Sequence, residues 1–143
     1  MSIDERIAKR LELLNDTGWR AALTIFSGDL LADNGLVWAW IDLDRRTIYI
    51  EDLLWEYGVL SGGEQRMVRL ALSLFNQDLE VNLYRNLAGL DEDNEQLAAA
   101  AVLAFIQRPV ELRADIRMAI VKALQEKPVR KPRQSTRPVE AQR

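Results

Sequence analysis

The sequence predicts an α+β domain that is predominantly helical, with six or seven helices packed around one small antiparallel β-hairpin at about residues 36–51. Three observations carry this. Apolar residues recur every three or four positions in most segments, and those segments are bounded by capping residues, glycine or proline. One stretch switches to strict alternation. With 48% apolar residues in 143, the chain has the size and composition of a single domain with a real core.

In chain order, Ser2 and Glu5 have the spacing of a capping box, and Ile3, Ile7, Leu11 and Leu14 follow on one helical face to about Asn15. Thr17 is placed to cap a second helix bearing Trp19, Leu23, Phe26 and Leu30, weakened inside by Gly28 and ended by Asn34-Gly35. The segments 36–43 and 47–51, joined by Asp44-Arg45-Arg46, read as the two strands, with both faces apolar. A lone hairpin is marginal in water, so helices must back it. A short helical piece closes at Gly58, and a longer helix opens at Ser61. Further helices end at Gly89 and run from about Glu92 to Gln107, with Asp91 as cap. Pro109 at a first helical position opens the last, which carries Leu112, Ile116, Ala119, Ile120 and Leu124. There is no internal repeat.

The chain has no cysteine and no histidine. Disulfide frameworks, thiolate or imidazole metal sites, and Ser-His or Cys-His catalytic pairs are therefore excluded. No cofactor, metal or catalytic residue is expected, nor is a small-molecule substrate. The first ten residues mix acids and bases and no stretch of about 18 apolar residues occurs, so the expectation is a cytoplasmic protein, or one incorporated from the cytoplasm into a larger assembly.

A net charge of −3 hides a division along the chain. Residues 1–126 hold 13 Lys+Arg against 21 Asp+Glu, net −8, whereas residues 127–143 hold six against one, net +5. The division suggests a globular domain at 1–126 and a basic, proline-interrupted tail at 127–143. Lys127, Arg130, Lys131, Arg133 and Arg137 are the candidate contacts to nucleic acid, an acidic partner or a neighbouring subunit.

The stretch Leu60-Ser-Gly-Gly-Glu-Gln-Arg66 has two readings. Ser61 and Glu64 make a Ser-x-x-Glu capping box, which explains a helix start without any ligand. The same residues resemble the signature helix of ABC-type ATPases, and Ala88-Gly-Leu-Asp-Glu-Asp-Asn94 resembles that family's D-loop. The resemblance implies that Ser61, Gly62 and Gly63 approach the γ-phosphate of a nucleotide on a partner ATPase, where helix N-termini favour anions. It covers about a third of the chain. The phosphate-binding Gly-x-x-x-x-Gly-Lys-[Ser/Thr] loop is missing, and Tyr84-Arg85 stands where the family's Asp-Glu would follow a strand, so ATP hydrolysis in that family's manner is excluded.

Two other groups have both a bland and a functional reading. The acids at 91–95 suit a helix first turn, or an oxygen-ligand cation site lacking the EF-hand order. Trp38, Trp40 and Tyr49 would either lie buried under the helices or form an aromatic surface for a partner. Together these features point to a non-enzymatic binding or assembly protein, with an accessory element of an ATPase as the alternative.

Overall fold

In a computed structural model, residues 2–106 and 113–130 are described. The first helix, α1 (Ile3–Leu11), is capped by the Ser2 hydroxyl, which accepts from Glu5 N at 3.1 Å, and continues as a tight turn over Glu12–Asn15. Helix α2 (Thr17–Phe26) follows. Its cap is Asp16 rather than Thr17, because the Asp16 carboxylate accepts from Trp19 N at 2.9 Å. The helix stops at Phe26, well short of the expected end at Asn34-Gly35. The Ser27 hydroxyl and the Gly28 N–H turn back onto the carbonyls of Leu23 and Ile25, so Gly28 lies beyond the helix.

Every residue of α2 from Gly18 to Phe26 is buried, which makes it the axis of the domain. Around it pack α5 (Gly62–Phe75), α7 (Glu92–Ile106) and α8 (Ala114–Glu126). Close approach at one end depends on Gly18, where an added Cβ would lie 3.1 Å from the Phe75 carbonyl oxygen and 3.3 Å from its Cα. Trp19 packs edge-on against Phe75 with centroids 4.9 Å apart, so this end of the core is aromatic.

The hairpin exists but is much shorter than its alternation suggests. Strands β1 (Ile41–Asp42) and β2 (Thr47–Ile48) pair antiparallel in the register Ile41 with Ile48 and Asp42 with Thr47. The flanks are helical. Asn34 caps α3 (Gly35–Trp38) by accepting from Val37 N at 3.1 Å, and α4 (Ile50–Glu56) begins with Glu51 and Asp52 in its first turn. Alternation with both faces apolar was therefore a signature of burial rather than of extended backbone.

The boundaries at Ser61, Gly89 and Asp91 agree with expectation. Ser61 caps α5, Gly89 ends the stretch after α6 (Leu83–Leu87) with φ of +77°, and Asp91 caps α7 by accepting from Asn94 N at 2.8 Å. A left-handed φ is cheap only for glycine, which explains that residue there. The proposed opening of the last helix at Pro109, with Leu112 on its face, lies outside the described residues. Within them α8 buries Ile120, Ala123 and Leu124. The domain is α+β and mostly helical, with eight α-helices and one two-stranded sheet among the described residues.

Candidate functional site

Two arginines lie in the core, and each closes the C-terminal end of other helices. Arg20, 2% exposed, donates to the carbonyls of Ala104 in α7 at 2.6 Å and Leu14 in the turn after α1 at 2.9 Å. Burial holds its pKa below the usual value, against the pull of Asp16. Arg10, 1% exposed, donates to the carbonyls of Leu124 at 2.9 Å, Lys127 at 2.5 Å and Pro128 at 3.1 Å. Orphan carbonyls at a helix end carry partial negative charge, so a buried cation is well placed there. The rest of the Arg10 guanidinium is bidentate on Asp44, and that bond, more than the charge itself, holds the Asp44 carboxyl below its ordinary range while burial opposes it.

This arrangement corrects the place of Lys127. Its Nζ donates to the Ala32 carbonyl at 2.7 Å and sits 4.4 Å from the centroid of the Trp38 ring. Desolvation lowers its pKa, with Asp33 acting in the opposite sense and Arg130 in the same one. Lys127 is thus packed against the body. Arg130 is half-buried and within electrostatic reach of Lys127. Lys131, Arg133 and Arg137 lie outside the described residues.

The aromatic trio does not form a surface. Trp38 and Trp40 are each 2% exposed, Trp38 Nε1 donates to the Leu31 carbonyl and Trp40 Nε1 to the Glu56 carboxylate, and Tyr49 is half-buried against Trp40. Burial satisfied their polar atoms, so nothing favours presenting them to solvent. The exposed tryptophan is Trp55, at 56%. Only its position on the solvent side of a short helix sets it apart, and the alternating stretch drew attention elsewhere.

At the start of α5 the capping box is complete. Glu64 N donates to the Ser61 hydroxyl at 3.1 Å and Ser61 N donates to the Glu64 carboxylate at 2.9 Å, while Asn34 Nδ2 reaches the other carboxylate oxygen at 3.1 Å. The backbone bond from Ser61 leads the causes that keep the Glu64 carboxyl low. The two signature-like fragments are neighbours in space. Arg66 donates to the Ala88 carbonyl at 2.8 Å, and a Cβ on Gly63 would lie 3.7 Å from Asn94 Nδ2; nothing lies within 4 Å of the same position on Gly62. Ser61 and Gly62 are exposed, but Glu64 and the acids from Asp91 to Glu95 give this end negative charge. These carboxylates oppose an anion there, against the pull of the α5 N-terminus and of Arg66.

Asp42 Oδ1 accepts from Arg45 N at 3.0 Å, and Asp44 holds Arg10. Among the described residues no group of three or more acidic side chains is placed to hold a metal ion, and no helix is long and apolar enough to cross a membrane. No family model, curated protein or solved structure matches the chain.

Proposed function

We propose that the chain is a non-enzymatic binding or assembly protein whose basic arm, beginning after Pro128, contacts a polyanionic surface on nucleic acid, an acidic protein or a neighbouring subunit. The observation that carries the reading is the Arg10 clamp. A buried guanidinium fixes the carbonyls of Leu124, Lys127 and Pro128, so the basic segment is joined to an acidic body at one defined point. The positive charge beyond that point is opposite in sign to the body, which keeps it from being a uniform solubilising coat.

The test replaces Lys131, Arg133 and Arg137 together by serine, since truncation at residue 127 would strip Arg10 of two carbonyl partners and confuse binding with folding. Binding of the full chain to labelled duplex DNA, single-stranded RNA and poly-glutamate is measured by fluorescence anisotropy across a salt series. At least one probe should bind with an affinity that falls steeply with salt, and the triple variant should lose about tenfold or more. Equal behaviour of both proteins at low salt rules the reading out. The alternative, presentation of Ser61-Gly62-Gly63 to a partner's nucleotide, gains from the open space at Gly62 but is opposed by the surrounding carboxylates.

A further inference from the structure

The outward face of α4 is acidic and aromatic. At 100° per residue Glu51, Trp55, Asp52 and Glu56 fall within about 140° of arc, with Leu53 and Leu54 packed on the core from the other side. Glu51 and Trp55 are exposed, and Asp52 and Glu56 form the more buried edge, where Trp40 Nε1 donates to Glu56 at 2.8 Å. From Thr47 to Gln65 the chain has four acids and no lysine or arginine. The cations that follow and precede this stretch are engaged elsewhere. Arg45 lies 3.9 Å from Asp42, Arg46 is held by Glu12 and the Lys9 carbonyl, Arg66 reaches the Ala88 carbonyl, and Arg69 donates to the Tyr57 hydroxyl on the flank that carries Leu54. A tryptophan left 56% exposed among carboxylates has the chemistry of a cation-binding face, through its ring and through simple attraction.

We infer that the occupant of this face is the chain's own segment 131–137, which docks back in cis on α4. Position, length and chemistry select it. The last described residues are anchored on the stretch that leads into α4: Lys127 Nζ sits 4.4 Å from the Trp38 ring centroid, and Arg10, which holds the Pro128 carbonyl, also holds Asp44. Helix α3, which carries Trp38, packs against α4. Beyond Arg130, seven residues reach at most about 25 Å, against a length of about 10 Å for the seven residues of α4. Segment 131–137 has three cations and no acid, and Lys131-Pro132-Arg133 sets a proline between two of them. A guanidinium stacks on indole, and proline packs on aromatic rings while lowering the entropy lost on ordering. An acidic cavity of about 450 Å³ lined by Asp29, Asp91, Asp93 and Asp115 fits less well, because it has no aromatic ring, Asp91 caps α7 and Asp115 is already bidentate on Arg113. The docking needs no outside partner, so it stands or falls separately from polyanion binding. Where both occur, a polyanion competes with the α4 carboxylates for the same side chains. Exposed ion pairs are weak, so the segment exchanges on and off and Trp55 stays open to small neutral solutes.

Paramagnetic relaxation in the full chain tests the contact. The sequence has no cysteine and four tryptophans, so Gln134→Cys carries a single nitroxide label and four indole N–H signals report which ring it approaches. Trp55→Phe assigns the signal of interest. At low salt that signal should lose at least half of its intensity, the largest loss of the four, and should recover at about 0.5 M sodium chloride, where screening is short-ranged. Serine at Lys131, Arg133 and Arg137 should cut the loss at least twofold, as should Glu51→Lys; if the Glu51 variant fails to fold, the serine variant alone decides. A Trp55 signal untouched by the label, a larger loss at another tryptophan, or a loss indifferent to both salt and the serine changes overturns the proposal. Mixing isotope-enriched chains with unenriched, spin-labelled ones should leave Trp55 sharp; broadening there equal to that within one chain would assign the face to the arm of a second copy and overturn docking in cis.

Discussion

Arg10 and Asp44, from the first helix and the hairpin turn, form a two-pronged ion pair, Nε to Oδ1 at 2.8 Å and Nη2 to Oδ2 at 2.6 Å. The same guanidinium holds the end of the last helix. Three distant parts of the chain therefore meet at one side chain.

Removing that side chain should be costly. Arg10→Leu leaves the Asp44 carboxylate, 22% exposed, without its partner and frees the carbonyls of Leu124, Lys127 and Pro128, for a loss of about 2–4 kcal/mol in urea unfolding. Arg10→Lys should recover little, since an ammonium cannot reproduce the fork that spans carboxylate and carbonyls together. A loss under about 0.5 kcal/mol would show that the clamp adds little to stability.

Acid should expose the same contact. The Asp44 carboxyl titrates lower in the folded chain than in the unfolded one, so its contribution is fully present above the unfolded value near pH 4 and is lost as pH falls through the lowered folded value. Glu64 adds to the trend with the same sign. Urea midpoints should drop below about pH 4, and Asp44→Asn should flatten part of that drop. An unchanged pH profile in the asparagine variant contradicts the assignment.

Ser61→Ala should cost about 1 kcal/mol, the ordinary value of a helix cap, because it removes the acceptor for Glu64 N. Calorimetric melting gives the number. On the capping reading, saturating Mg-ATP leaves the melting temperature of the native chain unmoved; a rise of several degrees that Ser61→Ala abolishes would favour the nucleotide reading instead.

Gly18→Ala is the sharpest test of the core. Its new methyl meets backbone atoms of Phe75, which cannot rotate away, so α2 and α5 must separate and about 1–3 kcal/mol should be lost despite alanine's better helix propensity. A neutral or stabilising result places the helices farther apart than described.

Quenching separates the tryptophans. Acrylamide should reach Trp55 and spare Trp38 and Trp40, so Trp55→Phe should remove most of the quenchable emission. Strong quenching that survives the substitution would mean that the buried pair is accessible.

Much of this architecture was legible in the sequence, and the exceptions have a common cause. Ser2, Ser61, Gly89 and Asp91 mark boundaries that the structure keeps, because caps and left-handed glycines act locally. The hairpin was overextended because Val37 to Leu43 is apolar on both faces for tertiary reasons, and Asn34 capped a short helix there instead. Arg10 and Arg20 were missed as core residues. Arg10 sits seven residues after Ile3 and three after Ile7, on the apolar stripe of α1, and a charge in that phase was the available signal. The role of Lys127 depends on contacts across the fold, which no local pattern encodes.

The Arg10 clamp also imposes an order of events. Its carbonyl acceptors lie more than a hundred residues downstream, so the clamp does not exist until α1 and the end of α8 have met. A chain cut before Leu124 lacks every carbonyl that Arg10 holds, and its guanidinium is left with Asp44 alone.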